Sequence, residues 1–163
     1  MYTKKILIEG ITREFEILKH LWSKVTKENA GFRLSDLQRS IEELEYYIVS
    51  SLPTQIKFIV EWVRDTDKYK EEIQRVSKFT WKRFNIELNK SLKIIKKELK
   101  SVKGKSWKED IEIFGRKGTR ASFLVDYIFA FLWAYKMQLF LQLKSSWLTG
   151  LGTSNLWGWK DMI

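Results

Sequence analysis

The sequence has no cysteine, one proline and one histidine among its 163 residues. Without cysteine there is no disulfide, no thiolate zinc site and no cysteine nucleophile. With a single histidine, His20, no serine has a histidine base nearby, so no nucleophile–base pair is visible. Long uncharged apolar runs are missing too. The most apolar stretch, Leu124 to Leu143, carries Asp126, Lys136 and Gln138, whereas a spanning helix needs about 18 or more nearly uncharged residues. It reads as a buried helix, and no membrane partner is expected. The N-terminal apolar run Ile6-Leu7-Ile8 is too short for a secretory signal, and a cytoplasmic location is expected. Internal repeats and low-complexity linkers are lacking, so residues 1–163 are expected to form one domain.

What is present is charge, and it is unevenly placed. The formal net charge is +10. Between Lys78 and Lys108 there are eleven Lys/Arg against two acids, Glu87 and Glu98, a net of +9. Few prolines, no cysteine and abundant Ile, Lys and Glu give a thermophile-like composition.

Apolar spacing of three and four dominates the chain. Phe15, Leu18, Trp22 and Val25 predict a first helix from about Thr12, with Thr12 or Gly10 near its start and Asn29-Ala30-Gly31 at its end. Leu34, Leu37, Ile41, Leu44 and Ile48 predict a second, from about Leu34 to Val49, stopped by Pro53. Trp81, Phe84, Leu88, Leu92, Ile95, Leu99 and Val102 predict a third, closed by Gly104, with Tyr69, Ile73 and Val76 in its opening turns. Residues 54–64 fit strand and helix equally: Ile56, Phe58, Val60 and Trp62 alternate, while Ile59 and Val63 allow a helix. A fourth helix opens at Thr119, an N-cap after Gly118, and runs to about Ser146. It is apolar on nearly every side, which puts it either at the centre of its own bundle or against a second subunit. The expected fold is an all-α four-helix bundle. The Trp/Gly-rich tail 147–163 holds Trp147, Trp157 and Trp159, too much apolar area to leave in water. It is expected to pack on the bundle or on a partner subunit.

Two segments carry a family resemblance. Phe32-Arg33-Leu34-Ser35-Asp36-Leu37-Gln38-Arg39-Ser40-Ile41 is similar to the segment opening the second helix of DinB-like (DinB/YfiT-type) proteins. In that family an aromatic residue precedes the helix and a histidine ends the segment. Ile113-Phe114-Gly115 and Thr119 through Lys144 resemble the last helix of that family. There, histidines four apart lead into a His-Arg-Gly-Gln-like sequence; here the match reads Phe131-Leu132-Trp133-Ala134-Tyr135-Lys136-Met137-Gln138-Leu139-Phe140. The resemblance implies a four-helix bundle, often dimeric, and in many members a divalent metal on three histidines, which some use to activate a low-molecular-weight thiol for transferase or isomerase chemistry. The three ligand positions correspond here to Ser40, Phe131 and Tyr135. Phenylalanine has no donor atom, and serine and tyrosine are poor ligands near neutral pH. No metal and no other cofactor is therefore expected. A metal- or thiol-dependent transferase with non-standard ligands is the reading this substitution disfavours.

Other chemistry is sparse. If the family alignment holds, Ser40, Tyr127, Tyr135 and Gln138 are the polar lining of a residual pocket for a small ligand, or else they satisfy one another in a filled core. His20 lies beside Glu16 and is expected to face solvent. Gln38, Glu42 and Glu45 share a face of the second helix and are expected to be hydrated, since the Glu-x-x-His pairs of a di-iron bundle are absent. Gly115-Arg116-Lys117-Gly118-Thr119 resembles an anion seat at a helix N-terminus only weakly. On the third helix Lys90, Lys93, Lys97 and Lys100 share one face, broadened by Lys82, Lys96 and Lys103. With Arg116 and Lys117 they are the candidates for nucleic-acid contact, although no base-reading motif accompanies them. The sequence points to a binding homodimer for a small ligand or a protein rather than to an enzyme, with a nucleic-acid-associated protein as the alternative.

Overall fold

Glycine at position 10 does not open the first helix but lies inside it. The computed structural model describes residues 3–61, 66–78, 80–146, 150–158 and 161, and its first helix, α1, spans Lys4–Trp22. The Thr3 side chain caps it, accepting from the Ile6 amide at 3.3 Å. Gly10 lets the Phe129 ring pack close to α1, because a Cβ there would stand 2.8 Å from that ring and force it to shift. The helix stops at Trp22, short of Gly31, and a loop follows. Asn29 closes that loop, its Oδ1 accepting from the Thr26 amide at 2.8 Å and its Nδ2 donating to the Lys24 carbonyl at 3.2 Å.

The second helix is displaced from its expected position. Residues 32–40 are irregular, with Leu37 99% exposed, and α2 runs Ile41–Glu61. Its start is a capping box: the Ser40 hydroxyl accepts from the Glu43 amide at 3.2 Å, and the Glu43 carboxylate accepts from the Ser40 amide at 2.8 Å. Pro53 lies inside α2 and does not end it. Proline lacks the amide that would bond the carbonyl four residues back, and that carbonyl, Val49, instead accepts from the Ser91 hydroxyl at 2.9 Å. A neighbouring helix thus supplies the donor the proline lacks. Residues 54–61 are helical, while Trp62, Val63 and Arg64 lie outside the described residues.

Tyr69, Ile73 and Val76 belong to a separate helix, α3, Thr66–Val76. It is tied to α2 by Ser51 and Tyr69, whose hydroxyls are 3.0 Å apart. A single 3-10 turn, Trp81–Arg83, leads into α4, Phe84–Ser101. Gly104 opens a further short helix, α5, Gly104–Trp107, which buries Trp107. An antiparallel hairpin of β1, Asp110–Ile113, and β2, Arg116–Thr119, follows, with Ile113 opposite Arg116. Its two turn residues, Phe114 and Gly115, have φ of 51° and 77°, the left-handed pair that suits a two-residue hairpin turn. Phe-Gly is a weak turn signal, because phenylalanine rarely adopts positive φ, and the hairpin was not anticipated.

The last long helix, α6, spans Arg120–Ser145, and the Thr119 side chain accepts from the Ser122 amide as expected. A short α7, Thr153–Trp157, packs on α1 and α6. Trp147 and Trp159 of the tail lie outside the described residues. The four long helices form an all-α bundle: α1 and α2 each pack against both α4 and α6, which places α1 diagonal to α2. One hydrophobic core joins them. Within it, Leu124, Ile128, Leu132, Leu139 and Leu143 of α6 are at most 1% exposed. By length and composition α6 could cross a membrane, but its apolar side forms the centre of this core.

Candidate functional site

The three positions at which the resemblance implies ligands have separate local roles. Ser40 is 4% exposed, and its hydroxyl is engaged as the cap of α2. Phe131 and Tyr135, one turn apart on α6, lie together with ring centroids at 4.5 Å. Tyr47 of α2 joins them, 5.7 Å from Phe131 and 5.0 Å from Tyr135, and Tyr127 lies 5.9 Å from Phe131 on the other side. The Arg39 guanidinium sits over the Tyr47 ring at 4.0 Å, a cation–π contact that holds a positive charge at the edge of the cluster.

Burial pushes the Tyr135 phenol up to about 12, helped by a hydrogen bond with Tyr47, while the nearby Arg39 charge opposes the shift. Burial also raises Tyr127, reinforced by Tyr47, Tyr135 and Tyr69. At neutral pH these groups are therefore protonated phenols, which donate hydrogen bonds and are poor ligands for a cation. Tyr47, Tyr127 and Tyr135, from two helices, thus surround Phe131. Among the described residues the Tyr127 hydroxyl has no hydrogen-bond partner. Beside Tyr135 an open depression is lined by Leu37, Gln38, Arg39, Glu43 and Gln138. The Gln138 side chain thus lies at the mouth of the cluster. Nearby, the Gln142 side chain donates to the Arg39 carbonyl at 2.6 Å and fastens the α2 entry to α6.

Tyr47 and Arg39 were missed from sequence. The available signal was the position of Tyr47 three residues after Leu44 on the apolar side of α2. The acid face expected of Gln38, Glu42 and Glu45 does not exist as such. Gln38 precedes α2 and is exposed, while Glu42 accepts from the Tyr46 hydroxyl at 2.7 Å and the Trp81 amide at 2.9 Å. Glu45 points inward and is only 2% exposed. Among the described residues no group of three or more His, Asp or Glu side chains could hold a metal ion.

The other expected sites are also rearranged. His20 does not face solvent. Its Nε2 lies 3.0 Å from the Asn155 amide nitrogen of α7, with Asp161 at 3.7 Å. Burial and then the Lys24 charge lower its pKa against the opposing pull of Asp161. Asn155 is fully buried and also donates to Asp161 at 3.0 Å, so His20 helps fasten the tail. Gly115 to Thr119 form a turn and a strand that lead into the Thr119 cap of α6. Arg116 pairs with Asp126 at 3.6 Å and Lys117 with Glu112 at 3.9 Å. On α4, Lys90 is paired with Glu87 at 2.8 Å, while Lys93, Lys97 and Lys100 are exposed.

The long helices α1 and α6 run one way and α2 and α4 the other, with a hairpin before the last and an aromatic cluster between α2 and α6. A solved structure with the same fold is a DinB-like protein, YjoA, from Bacillus subtilis. It matches with a TM-score of 0.67 and 18% sequence identity, covering 89% of this chain and 94% of that one. No family model matches the sequence, and no curated protein matches it.

Proposed function

We propose that the protein is a cytosolic, metal-independent binding protein on a DinB-like bundle, with a small ligand seated at the cluster of Tyr47, Tyr127 and Tyr135. The observation that carries this reading is the chemistry at the three ligand positions of the resemblance: a hydroxyl engaged as a helix cap, a ring without a donor, and a phenol held protonated. That donor set does not fit a transition metal. It does fit a small molecule with a flat apolar part and hydrogen-bond acceptors. The rings provide the apolar walls, the phenols donate, and Arg39 at the mouth favours a negatively charged group.

Elemental analysis of the purified protein tests the first half. Less than about 0.1 equivalent of any transition metal is expected, and a stoichiometric metal would favour a transferase with non-standard ligands. Thermal-shift screening against small aromatic carboxylates tests the second half. A stabilising compound should lose its effect in Tyr135→Phe and Arg39→Gln. If no aromatic carboxylate at millimolar concentration stabilises the wild type, the seat is only a packed core.

We also infer that the protein works as a homodimer through the outer side of α6. Trp133 and Leu141 on that side are 51% and 46% exposed, and Phe129 stacks on Trp133 at 5.4 Å. An apolar stripe of this kind on a long helix is favourable to cover. Light scattering should give twice the chain mass, and Trp133→Lys should return the monomer.

A further inference from the structure

Seven lysines occur between Lys93 and Lys108, with Glu98 as the one acid among them. The structure turns this run into a continuous exposed strip. Lys93, Lys97 and Lys100 lie on the outer side of α4, with Lys96 beside them. Lys103, Lys105 and Lys108 carry the strip around the end of the bundle, all three exposed. None of the seven has an ion pair among the described residues. Lys4 of α1 reaches the same end, where it donates to the Val102 carbonyl, and Lys5 beside it is exposed.

Helix electrostatics explain only part of this. A cation complements the helix dipole within the last turn, which covers Lys100 but not Lys93 or Lys96, and Lys103 to Lys108 lie beyond the helix. Elsewhere the protein balances its charge: outside residues 78–108 there are 19 Lys/Arg and 18 acids. The strip therefore concentrates self-repulsion that a folded protein otherwise avoids, and a polyanion relieves it.

The geometry points to the sugar-phosphate backbone of a nucleic-acid duplex, bound without sequence readout. From Lys93 to Lys100 the strip extends about 10 Å along the helix axis at 1.5 Å per residue, enough to lie along successive phosphates of one strand. A membrane surface fits less well. The apolar side of α4, with Leu88, Leu92, Ile95 and Leu99, is buried in the bundle and cannot insert among lipids as an interfacial helix does. Single-stranded nucleic acid fits less well too, because no aromatic side chain lies among the exposed lysines to stack on unpaired bases. The strip holds no arginine, the residue best suited to reading guanine edges, so contact stays with the backbone.

The test is fluorescence anisotropy of a labelled 24-base-pair duplex of random sequence with the full chain, in 50 to 200 mM KCl. For four lysine–phosphate contacts the affinity is expected to fall about 150-fold over that range. Lys93→Gln/Lys97→Gln/Lys100→Gln should weaken binding at 50 mM and reduce the salt effect to about 4-fold. Lys27→Gln/Lys144→Gln, at the opposite end of the bundle, should leave both unchanged. Absence of duplex binding at 50 mM KCl overturns the proposal. So does a salt dependence that is flat in the wild type or unaltered in the triple variant. Capture by phosphatidylserine vesicles at 200 mM KCl without duplex binding at 50 mM also overturns it, in favour of a membrane surface.

Discussion

Of the three glutamates buried in this bundle, Glu14, Glu45 and Glu87, the first two are accommodated in opposite ways. Glu14 of α1 is 9% exposed and meets the Lys136 ammonium of α6 at 2.6 Å. Lys136 is itself 1% exposed, with the Trp157 ring 4.4 Å from its Nζ. Glu45 of α2 is 2% exposed and, among the described residues, meets no cation and has no hydrogen-bond partner at its Oε2. Burial, then the nearby Glu42 charge, raises its pKa to about 11. One carboxyl group meets a cation, and the other enters the core by holding its proton. Burial alone therefore does not decide how an acid is accommodated in this core. The presence of a neighbouring cation does.

The largest expected effect comes from removing that cation. Lys136→Met leaves Glu14 buried and unpaired and should cost about 3–5 kcal/mol, read as a lower midpoint in urea. Glu14→Leu/Lys136→Met, which removes both charges, should recover most of the loss. Equal loss in the single and double variants would show that packing rather than charge is at stake.

Glu45→Gln should act in the opposite direction. The folded pKa of Glu45 lies above its ordinary value of 4.5, so folding takes up a proton at neutral pH. The stability linked to this group is complete below about pH 4.5 and is lost as pH rises towards 11, at no more than about 1.4 kcal/mol per pH unit. At pH 7 the neutral amide should stabilise the protein by up to about 3 kcal/mol on the same arithmetic. Denaturation from pH 5 to 9 checks this: the wild type should weaken relative to the variant as pH rises, and parallel curves would show a charged, solvated Glu45.

The smallest effect concerns the cover over the pair. Trp157→Leu keeps an apolar side chain but removes the ring face, and about 0.5–2 kcal/mol should be lost. In the Lys136→Met background the same change should cost less, because the cation it faces is gone. An equal cost in both backgrounds would reduce Trp157 to plain apolar cover.

How much of this was legible in the sequence depended on whether the determinant was local. The start of α6 was readable because Thr119 caps it from an adjacent position, and the core stripe of α4 followed from its own spacing. Gly10 and Pro53 misled for one reason: each looks like a helix terminator, and each is accommodated by a side chain far away in sequence, Phe129 or Ser91. Leu34 and Leu37 continued the periodic spacing yet lie outside the helix, because the capping box of Ser40 and Glu43 starts α2 later. At the site, Tyr127, Phe131, Tyr135 and Gln138 were grouped on α6 through the family resemblance. Tyr47 and Arg39 reach them only through the packing of α2 on α6. Lys136 stood out as a lone cation in an apolar helix, but nothing in the sequence identified Glu14, 122 residues away, as its partner.

The bond from Ser91 to Val49 also bears on the order in which the protein assembles. An ordinary helix completes its ladder from its own chain and can form ahead of its surroundings. The middle of α2 cannot, because one of its carbonyls waits for a donor 42 residues further along. The two halves of α2 become a continuous, fully bonded rod only once α4 has docked. Amide hydrogens near Pro53 should therefore exchange with solvent in step with those of α4, and Ser91→Ala should loosen that stretch of α2 while leaving its ends unchanged.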